Sequence, residues 1–298
     1  MRPAPRRPAK PWAAYLALLP MAFTVVVIYL GTVLWSVGIS FTSSKMLPRS
    51  DFVGISQYER LFTTERWHVS LHNMLAFGAT FLTLCLLVGF LLAVFIDQKV
   101  RAEGLLRTIF LYPFAMSFIA TGVVWQWLLN PQLGLQTSVR NLGWTSFRFD
   151  WIADPDLAIY TIALAAIWHG AGLVMALMLA GLRGIDESLW MAARVEGIPR
   201  WRYYAQIVLP QLGPTLGTCL VLLSLSVVRL YDTVLVMTQG GPGIATEVPA
   251  KFIMDHIGGR SNIGLASAAS TVMLVMVLAV LAPWFYVRSR QAARGLYG

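Results

Sequence analysis

The sequence has few charged residues and few of the side chains that usually carry catalysis. Only 12% of its 298 residues are Asp, Glu, Lys or Arg, and it contains four histidines and two cysteines. Cys85 and Cys219 each lie inside a long apolar run, so neither predicts a disulfide framework or a paired-thiol metal site. A Walker-type phosphate loop and a Ser-His-Asp context are also missing. The sequence therefore predicts a protein that is not an enzyme, with no catalytic residue and no metal ligand.

Apolar residues, in contrast, make up 57% of the chain, well above their share in a soluble domain. Six runs are almost free of charge, and each reaches the length of about 20 residues that a helix needs to cross hydrocarbon. They cover roughly residues 13–41, 73–96, 105–129, 157–182, 211–237 and 264–287. We predict an all-α membrane protein with six transmembrane helices.

The distribution of Lys and Arg predicts how these helices are oriented. If the N-terminus lies inside, one face collects 14 of the 23 basic residues and five acids, whereas the other face has eight of each. Basic residues are enriched in the cytoplasmic loops of membrane proteins. We expect a cytoplasmic tail over residues 1–11, a membrane domain over residues 12–298 and both termini in the cytoplasm. The positive net charge reflects this topology, and no motif indicates a nucleic-acid partner.

One charged stretch, residues 185–210, separates the fourth and fifth apolar runs. Its six charged residues exclude it from hydrocarbon, where each would cost about 2.5 to 3.5 kcal/mol at mid-depth. The pattern predicts a helix over residues 187–195, a break at Gly197 and Pro199, and further helical turns over residues 201–207. Pro210 is suited to the start of the next helix. We expect a compact helix, bend and helix in water.

This element resembles the cytoplasmic coupling loop in the permease subunits of binding-protein-dependent ABC importers. The family pattern is Glu-Ala-Ala, three residues, Gly, nine residues and Ile-x-Leu-Pro. Met191 stands where the family has Glu, and Glu196 precedes the glycine. The resemblance implies that the loop sits in a cleft of an ATP-hydrolysing subunit and transmits its movement; the alternative is an ordinary amphipathic connector. The matching positions are Ala192, Ala193, Gly197, Ile207, Leu209 and Pro210.

A second stretch, residues 237–252, resembles the loop after the fifth helix of sugar-type permeases, which faces the binding protein. Residues 110–135 and 167–186 are similar to the glucose and mannose permeases of Gram-negative bacteria. The resemblance implies the type I ABC importer permease fold and a maltose-permease-like importer with a hexose as cargo; a disaccharide or another glycoside is the alternative. The loop pattern, Thr-x-Gly-Gly-Pro, spacer and Thr, is carried by Thr238, Gly240, Gly241, Pro242 and Thr246.

Ionisable groups at membrane depth are few, and each leaves two interpretations open. His169, in the fourth run, either makes an interhelical hydrogen bond or contacts a sugar. Arg229 and Asp232, at i and i+3 in the fifth run, either pair with each other and reach outward or line the path. These groups, together with positions that match the sugar contacts of the family's maltose permease, are the candidate path residues: Trp168, His169, Gly170, Leu173, Ser224, Ser226, Val227, Arg229, Tyr231 and Asp232.

The resemblance also implies a set of partners in the bacterial inner membrane. These are a second, homologous permease, two ATP-binding subunits, a periplasmic or lipid-anchored sugar-binding protein and membrane lipid. ATP and Mg would be bound by the ATPase subunits, so this chain needs no cofactor of its own. An ion-coupled secondary carrier would instead need midplane acidic or broken-helix sites and an internal repeat. The sequence displays neither feature.

Overall fold

The computed structural model describes residues 11–98 and 100–293. Residues 1–10 of the predicted tail, Lys99 and residues 294–298 lie outside the described part of the chain. Within that part the chain is almost wholly helical, and its only β-structure is an isolated bridge between Thr42 and Phe52. The prediction of an all-α protein is confirmed.

The helices are numbered here in chain order. Two π-helical segments, Thr24–Leu30 and Tyr204–Val208, lead into the second and eleventh helices. The α-helices are α1 (Pro11–Phe23), α2 (Gly31–Ile39), α3 (Ser56–Thr63), α4 (Glu65–Asp97), α5 (Glu103–Ala115), α6 (Phe118–Leu128), α7 (Leu135–Asn141), α8 (Ala158–Leu182), α9 (Glu187–Val195), α10 (Arg200–Tyr203), α11 (Leu209–Gln211), α12 (Gly213–Val228), α13 (Asp232–Met237), α14 (Pro249–Ile257) and α15 (Ile263–Ala293).

Within the described residues, three helical segments are long and apolar enough to cross a membrane by themselves: Leu18–Ile39, α4 and α8. Two further candidate spans are bent pairs, α5 with α6 at 99° and Arg200–Gln211 with α12 at 73°. A shorter apolar helix, Ile263–Ala279, falls in the sixth predicted run. Helices therefore occupy all six predicted runs, but two of these runs are not single rods.

The bend between α5 and α6 has a local cause. Pro113 lies inside the last turn of α5, and Met116 follows in an extended conformation. Ser117 then caps α6, because its hydroxyl accepts a hydrogen bond from the Ala120 backbone N–H at 3.1 Å. Since the composition stays apolar through this break, hydropathy alone merges the two helices into one predicted run.

The chain forms two compact units, of which one comprises residues 11–63 and 253–276 within the described part. In this unit the loop after α2 is tied to the start of α15. The Gly264 N–H donates to the Ser44 carbonyl at 2.8 Å, and the Gln57 side-chain amide donates to the Thr42 carbonyl at 3.0 Å. A Cβ on Gly264 would lie 2.6 Å from the same Thr42 oxygen, so only glycine allows this approach.

The second unit, residues 64–252 with 277–293 of the described chain, is built around α8. This helix packs against α4, α5, α6, α12 and α13, and two thirds of its apolar window is buried. Small residues allow the close approach. A Cβ on Gly172 would lie 2.0 Å from the Phe110 carbonyl oxygen of α5, and one on Gly89 of α4 would lie 2.4 Å from Val174. The position of α8 brings its polar residues next to five neighbouring helices.

Candidate functional site

A cavity of about 340 Å³ lies among α4, α5, α6, α8 and the end of α12. Its wall is mainly apolar, with four phenylalanines and five leucines. A few polar groups interrupt this surface, which is the composition typical of small-molecule sites. The candidate path residues that line the cavity are His169, Gly170, Leu173, Ser226, Arg229, Tyr231 and Asp232.

His169 is held by contacts from the bent α5 and α6 pair. Its Nδ1 atom lies 3.2 Å from the Thr121 hydroxyl, and both side chains are buried. The rings of Phe118 and Phe114 approach the imidazole at centroid distances of 4.6 and 5.7 Å. His169 therefore makes an interhelical hydrogen bond and also faces the cavity, so the two interpretations of this residue do not exclude each other.

The structure differs from the sequence prediction at Arg229 and Asp232. Helix α12 ends at Val228, and α13 begins at Asp232 after an irregular Tyr231 with φ −132° and ψ −60°. Arg229 and Asp232 therefore do not share one helix face, and no ion pair joins them within the described residues. Of the two interpretations, the i, i+3 pair therefore fails because of the helix break, whereas both residues do line the cavity.

Three candidate path residues lie elsewhere. Trp168 packs edge-on against Trp125, with ring centroids 6.0 Å apart. Val227 packs toward α4, where a Cβ on Gly78 would meet it at 3.2 Å. Ser224 is half-buried on α12 and does not line the cavity. Of the candidates on α12, Ser226 is therefore the one that lines the cavity, beside leucines of the same helix.

The stretch over residues 185–210 begins with a capped helix. The Asp186 carboxylate accepts a hydrogen bond from the Ser188 backbone N–H at 2.8 Å, and this bond lowers the pKa of Asp186. Helix α9 ends at Val195, and Gly197 follows at φ +72°. The Ile198 N–H returns to the Ala193 carbonyl at 2.9 Å, which closes the helix end. The predicted helix over residues 187–195 and its break at Gly197 are confirmed.

The two halves of this stretch are joined by aromatic packing. The rings of Trp190 and Tyr203 lie 4.8 Å apart, and the Arg200 guanidinium lies 5.9 Å from the centre of the Trp190 ring. Ala193 is buried in the interior of the unit, whereas Ala192 and Glu196 are exposed. Four large apolar side chains of this stretch are exposed: Leu189, Met191, Val195 and Trp201.

The exit from this stretch differs from the prediction. Ile207 lies in the π-helical segment Tyr204–Val208, while Leu209 and Pro210 lie in the short helix α11. Pro210 does stand in the first turn of a helix, but that helix ends at Gln211. The long apolar helix begins only at Gly213 and carries Pro214 in its own first turn. Pro210 therefore precedes a 73° bend instead of opening the span.

The second predicted loop is closed by its own threonines. The hydroxyls of Thr238 and Thr246 lie 2.7 Å apart, and the Thr246 hydroxyl donates to the Gly241 carbonyl at 2.8 Å. The Thr246 N–H donates to the Gly240 carbonyl at 3.1 Å. Thr246 and Gly240 are buried, and Gly241 and Pro242 are half-buried. The motif residues therefore form the frame of the loop, whose exposed surface consists of Gln239, Gly243 and Ile244.

Two residues of α4 anchor this frame. The Asn73 side-chain amide donates to the carbonyls of Ala245 and Glu247, at 2.9 Å each. The buried Glu247 carboxylate pairs with Arg66 at 2.8 Å and lies 3.8 Å from the Lys251 ammonium. A buried charge of this kind persists only when it is paired. The loop is thereby fixed to the first turns of α4, which begin eight residues before the predicted run.

The sequence carries little signal for Asn73, Arg66 and Glu247, since they stand in predicted loops or at the end of a predicted helix. For Thr121 the only signal is a hydroxyl in an otherwise apolar segment. The spacing of four residues in Phe77 and Phe81, and again in Phe114 and Phe118, indicates ring pairs on one helix face. For the second pair this signal fails, since α5 ends at Ala115.

Comparison with known proteins agrees with this architecture. Residues 85–295 match the family of binding-protein-dependent transport system inner membrane components. The match covers more than half of the chain. This chain belongs to that family, which comprises permease subunits of ABC importers.

Individual relatives match along nearly the whole chain. A probable ABC transporter permease protein of Pyrococcus horikoshii is 35% identical over 91% of this chain and 94% of its own length. A xylose/arabinose import permease protein of Haloferax volcanii is 27% identical over 92% of this chain and 86% of its own.

A solved structure gives the fold. The crystal structure of a bacterial ABC transporter that imports the acidic polysaccharide alginate superposes with a TM-score of 0.79 at 21% identity. The match covers 94% of this chain and 96% of that chain. The expected type I ABC importer permease fold is confirmed.

Proposed function

We propose that this chain is one of two unlike permease subunits of an ATP-driven importer, and that its cavity forms part of the path of a sugar. The mixed lining of the cavity carries this proposal. Phenylalanine rings stand beside His169 and Ser226, and the side chains of Arg229 and Asp232 lie at the same wall. A sugar ring offers hydroxyls for such polar groups and an apolar face for aromatic rings.

The size of the cavity favours a single hexose of the glucose or mannose type. Its volume of about 340 Å³ is near the lower end of the range of about 300 to 1,000 Å³ for ligand pockets. The names of the relatives range from xylose and arabinose to alginate, which supports a carbohydrate without selecting one. A disaccharide or another glycoside remains the alternative cargo.

The two loops then receive partners on opposite sides of the bacterial inner membrane. Residues 185–210 would dock on the ATP-binding subunits, with the exposed Met191, Val195 and Trp201 as the contact face. The tip at Ile244 would face the external sugar-binding protein. ATP binding would move α9, and the bend before α12 would pass this movement to the cavity. Both termini would then lie in the cytoplasm.

Uptake by the assembled transporter tests this proposal. The chain is expressed with the second permease, the ATPase and the binding protein, and accumulation of labelled glucose, mannose, xylose and maltose is measured with and without the chain. We expect glucose or mannose to accumulate only when ATP is hydrolysed. Uptake of maltose alone would refute the hexose, whereas uptake driven by an ion gradient without ATP would refute the importer.

A further inference from the structure

The hydrogen bond between Thr121 and His169 connects α6 to α8 inside the unit. The Thr121 hydroxyl and His169 Nδ1 are 3.2 Å apart, at side chains that are 1% and 5% exposed. Thr121 Oγ1 makes no other side-chain hydrogen bond within the described residues. Threonine hydroxyls in helices commonly donate to their own helix, as Thr218 does to the Pro214 carbonyl at 3.0 Å. Thr121 is therefore unusual in being directed to another helix.

The position of the proton follows from hydrogen-bond accounting. A buried hydroxyl proton without an acceptor costs folding free energy, and the acceptor within reach of the Thr121 hydroxyl is Nδ1 of His169. If the hydroxyl donates to Nδ1, a neutral imidazole carries its own proton on Nε2. The opposite arrangement, with Nδ1–H as donor, would leave the Thr121 proton without a partner. The arrangement in which the Thr121 proton has an acceptor is therefore the neutral tautomer of His169 with its proton on Nε2.

The second ring nitrogen remains accessible from the cavity. Nε2 of His169 has no hydrogen bond within the described residues, and it is not among the enclosed side-chain atoms that lack a partner. His169 lines the cavity, and Phe114 and Phe118 restrict the orientation of its ring from α5 and α6. A ring held in this way presents one fixed N–H donor to a solute.

We propose that Thr121 is a positioning residue, which holds His169 so that Nε2–H donates a hydrogen bond to a hydroxyl oxygen of the transported sugar. The inference rests on the proposed function for the cargo, although the Thr121 bond itself does not depend on it. Thr121 would touch no sugar. Its effect would reach the cavity through the orientation and proton position of one imidazole.

Nitrogen NMR of the complete transporter in lipid nanodiscs tests the bond directly. With ¹⁵N-labelled histidine rings, the His169 signals are identified by their loss in His169→Gln. We expect one neutral form in the wild type, with Nε2 protonated and Nδ1 unprotonated. Thr121→Val is expected to yield a mixture of both forms, and Thr121→Ser to restore the single form. Identical spectra for the wild type and Thr121→Val would overturn the proposal.

Uptake kinetics supply the second measurement. Thr121→Val is expected to raise the KM for the transported sugar about five- to tenfold, the loss typical of one neutral hydrogen bond, with nearly unchanged maximal rate. Thr121→Ser and the control Thr218→Val should match the wild type. A lower maximal rate at unchanged KM would refute the positioning role. If the wild type itself accumulates no sugar, the proposed function fails, whereas the spectra still decide the Thr121 bond.

Discussion

At the scale of single residues, the requirement for glycine at position 197 comes from its backbone conformation and not from crowding by neighbouring atoms. Its φ is +72°, and a Cβ there would meet no atom within 4 Å. The position therefore has room for a side chain but has a conformation that L residues adopt at a cost of about 1 to 2 kcal/mol. Asparagine tolerates this region better than other non-glycine residues, and β-branched residues tolerate it least.

We therefore expect Gly197→Val to lose most uptake while the protein still reaches the membrane, because α9 would no longer end in its present direction. Gly197→Asn should retain most uptake, although the two side chains are of similar size. Transport assays and membrane blots on the same cells measure both properties. Equal uptake by the two variants would mean that the direction of α9 is unimportant for coupling.

Among individual residues, the features that could be predicted from the sequence are those determined by neighbouring residues in the chain. The helix over residues 187–195 and its break at Gly197 follow from residue type and spacing, and both are present. The partner of His169 could not be predicted, because Thr121 lies 48 residues away and the approach depends on how α5 and α6 bend.

At the scale of helices, the packing of α8 on α5 depends on one missing side chain. A Cβ on Gly172 would lie 2.0 Å from the Phe110 carbonyl oxygen, a backbone atom that cannot turn aside. The helices would have to separate, and overpacking of this kind typically costs about 1 to 3 kcal/mol. A Cβ placed on Gly104, which lies in α5 itself, would meet no atom within 4 Å.

Gly172→Ala is therefore expected to lower the thermal unfolding temperature of the detergent-solubilised protein, whereas Gly104→Ala should leave it unchanged or raise it slightly. Both substitutions add one methyl group to the same helix pair, so helix propensity cannot explain a difference between them. If the two variants unfold at the same temperature, the close contact of α8 with α5 does not contribute to stability.

The helix boundaries show where sequence patterns are sufficient. Helix α8 lies within one residue of its predicted bounds, because an acidic loop and Arg183 border its apolar run. The break before Phe118 was missed because the residues around it are as apolar as those inside the helices. The break after Val228 was missed because the spacing of Arg229 and Asp232 also fits a continuous helix. Hydropathy reports the environment of a segment, whereas a break depends on caps and tertiary contacts.

At the scale of the whole molecule, the excess of basic residues on one face predicts which loop lies inside. The argument is independent of the family match, because it uses only charge and the apolar runs. The stretch over residues 185–210 and the loop over residues 237–252 are then expected on opposite sides of the membrane. Two native cysteines, Cys85 and Cys219, are buried, so single introduced cysteines can report each side with low background.

Val195 and Ile244 are suitable positions, with 88% and 37% of their surfaces exposed. In spheroplasts, an impermeant maleimide should label Ile244→Cys but should label Val195→Cys only after the membrane is opened. Co-expressed ATPase subunits should then protect Val195→Cys, because the proposed contact face would be covered, and should leave the labelling of Ile244→Cys unchanged. Labelling of Val195→Cys in intact spheroplasts would place α9 on the outer side of the membrane. An ATPase in the cytoplasm could then not drive α9.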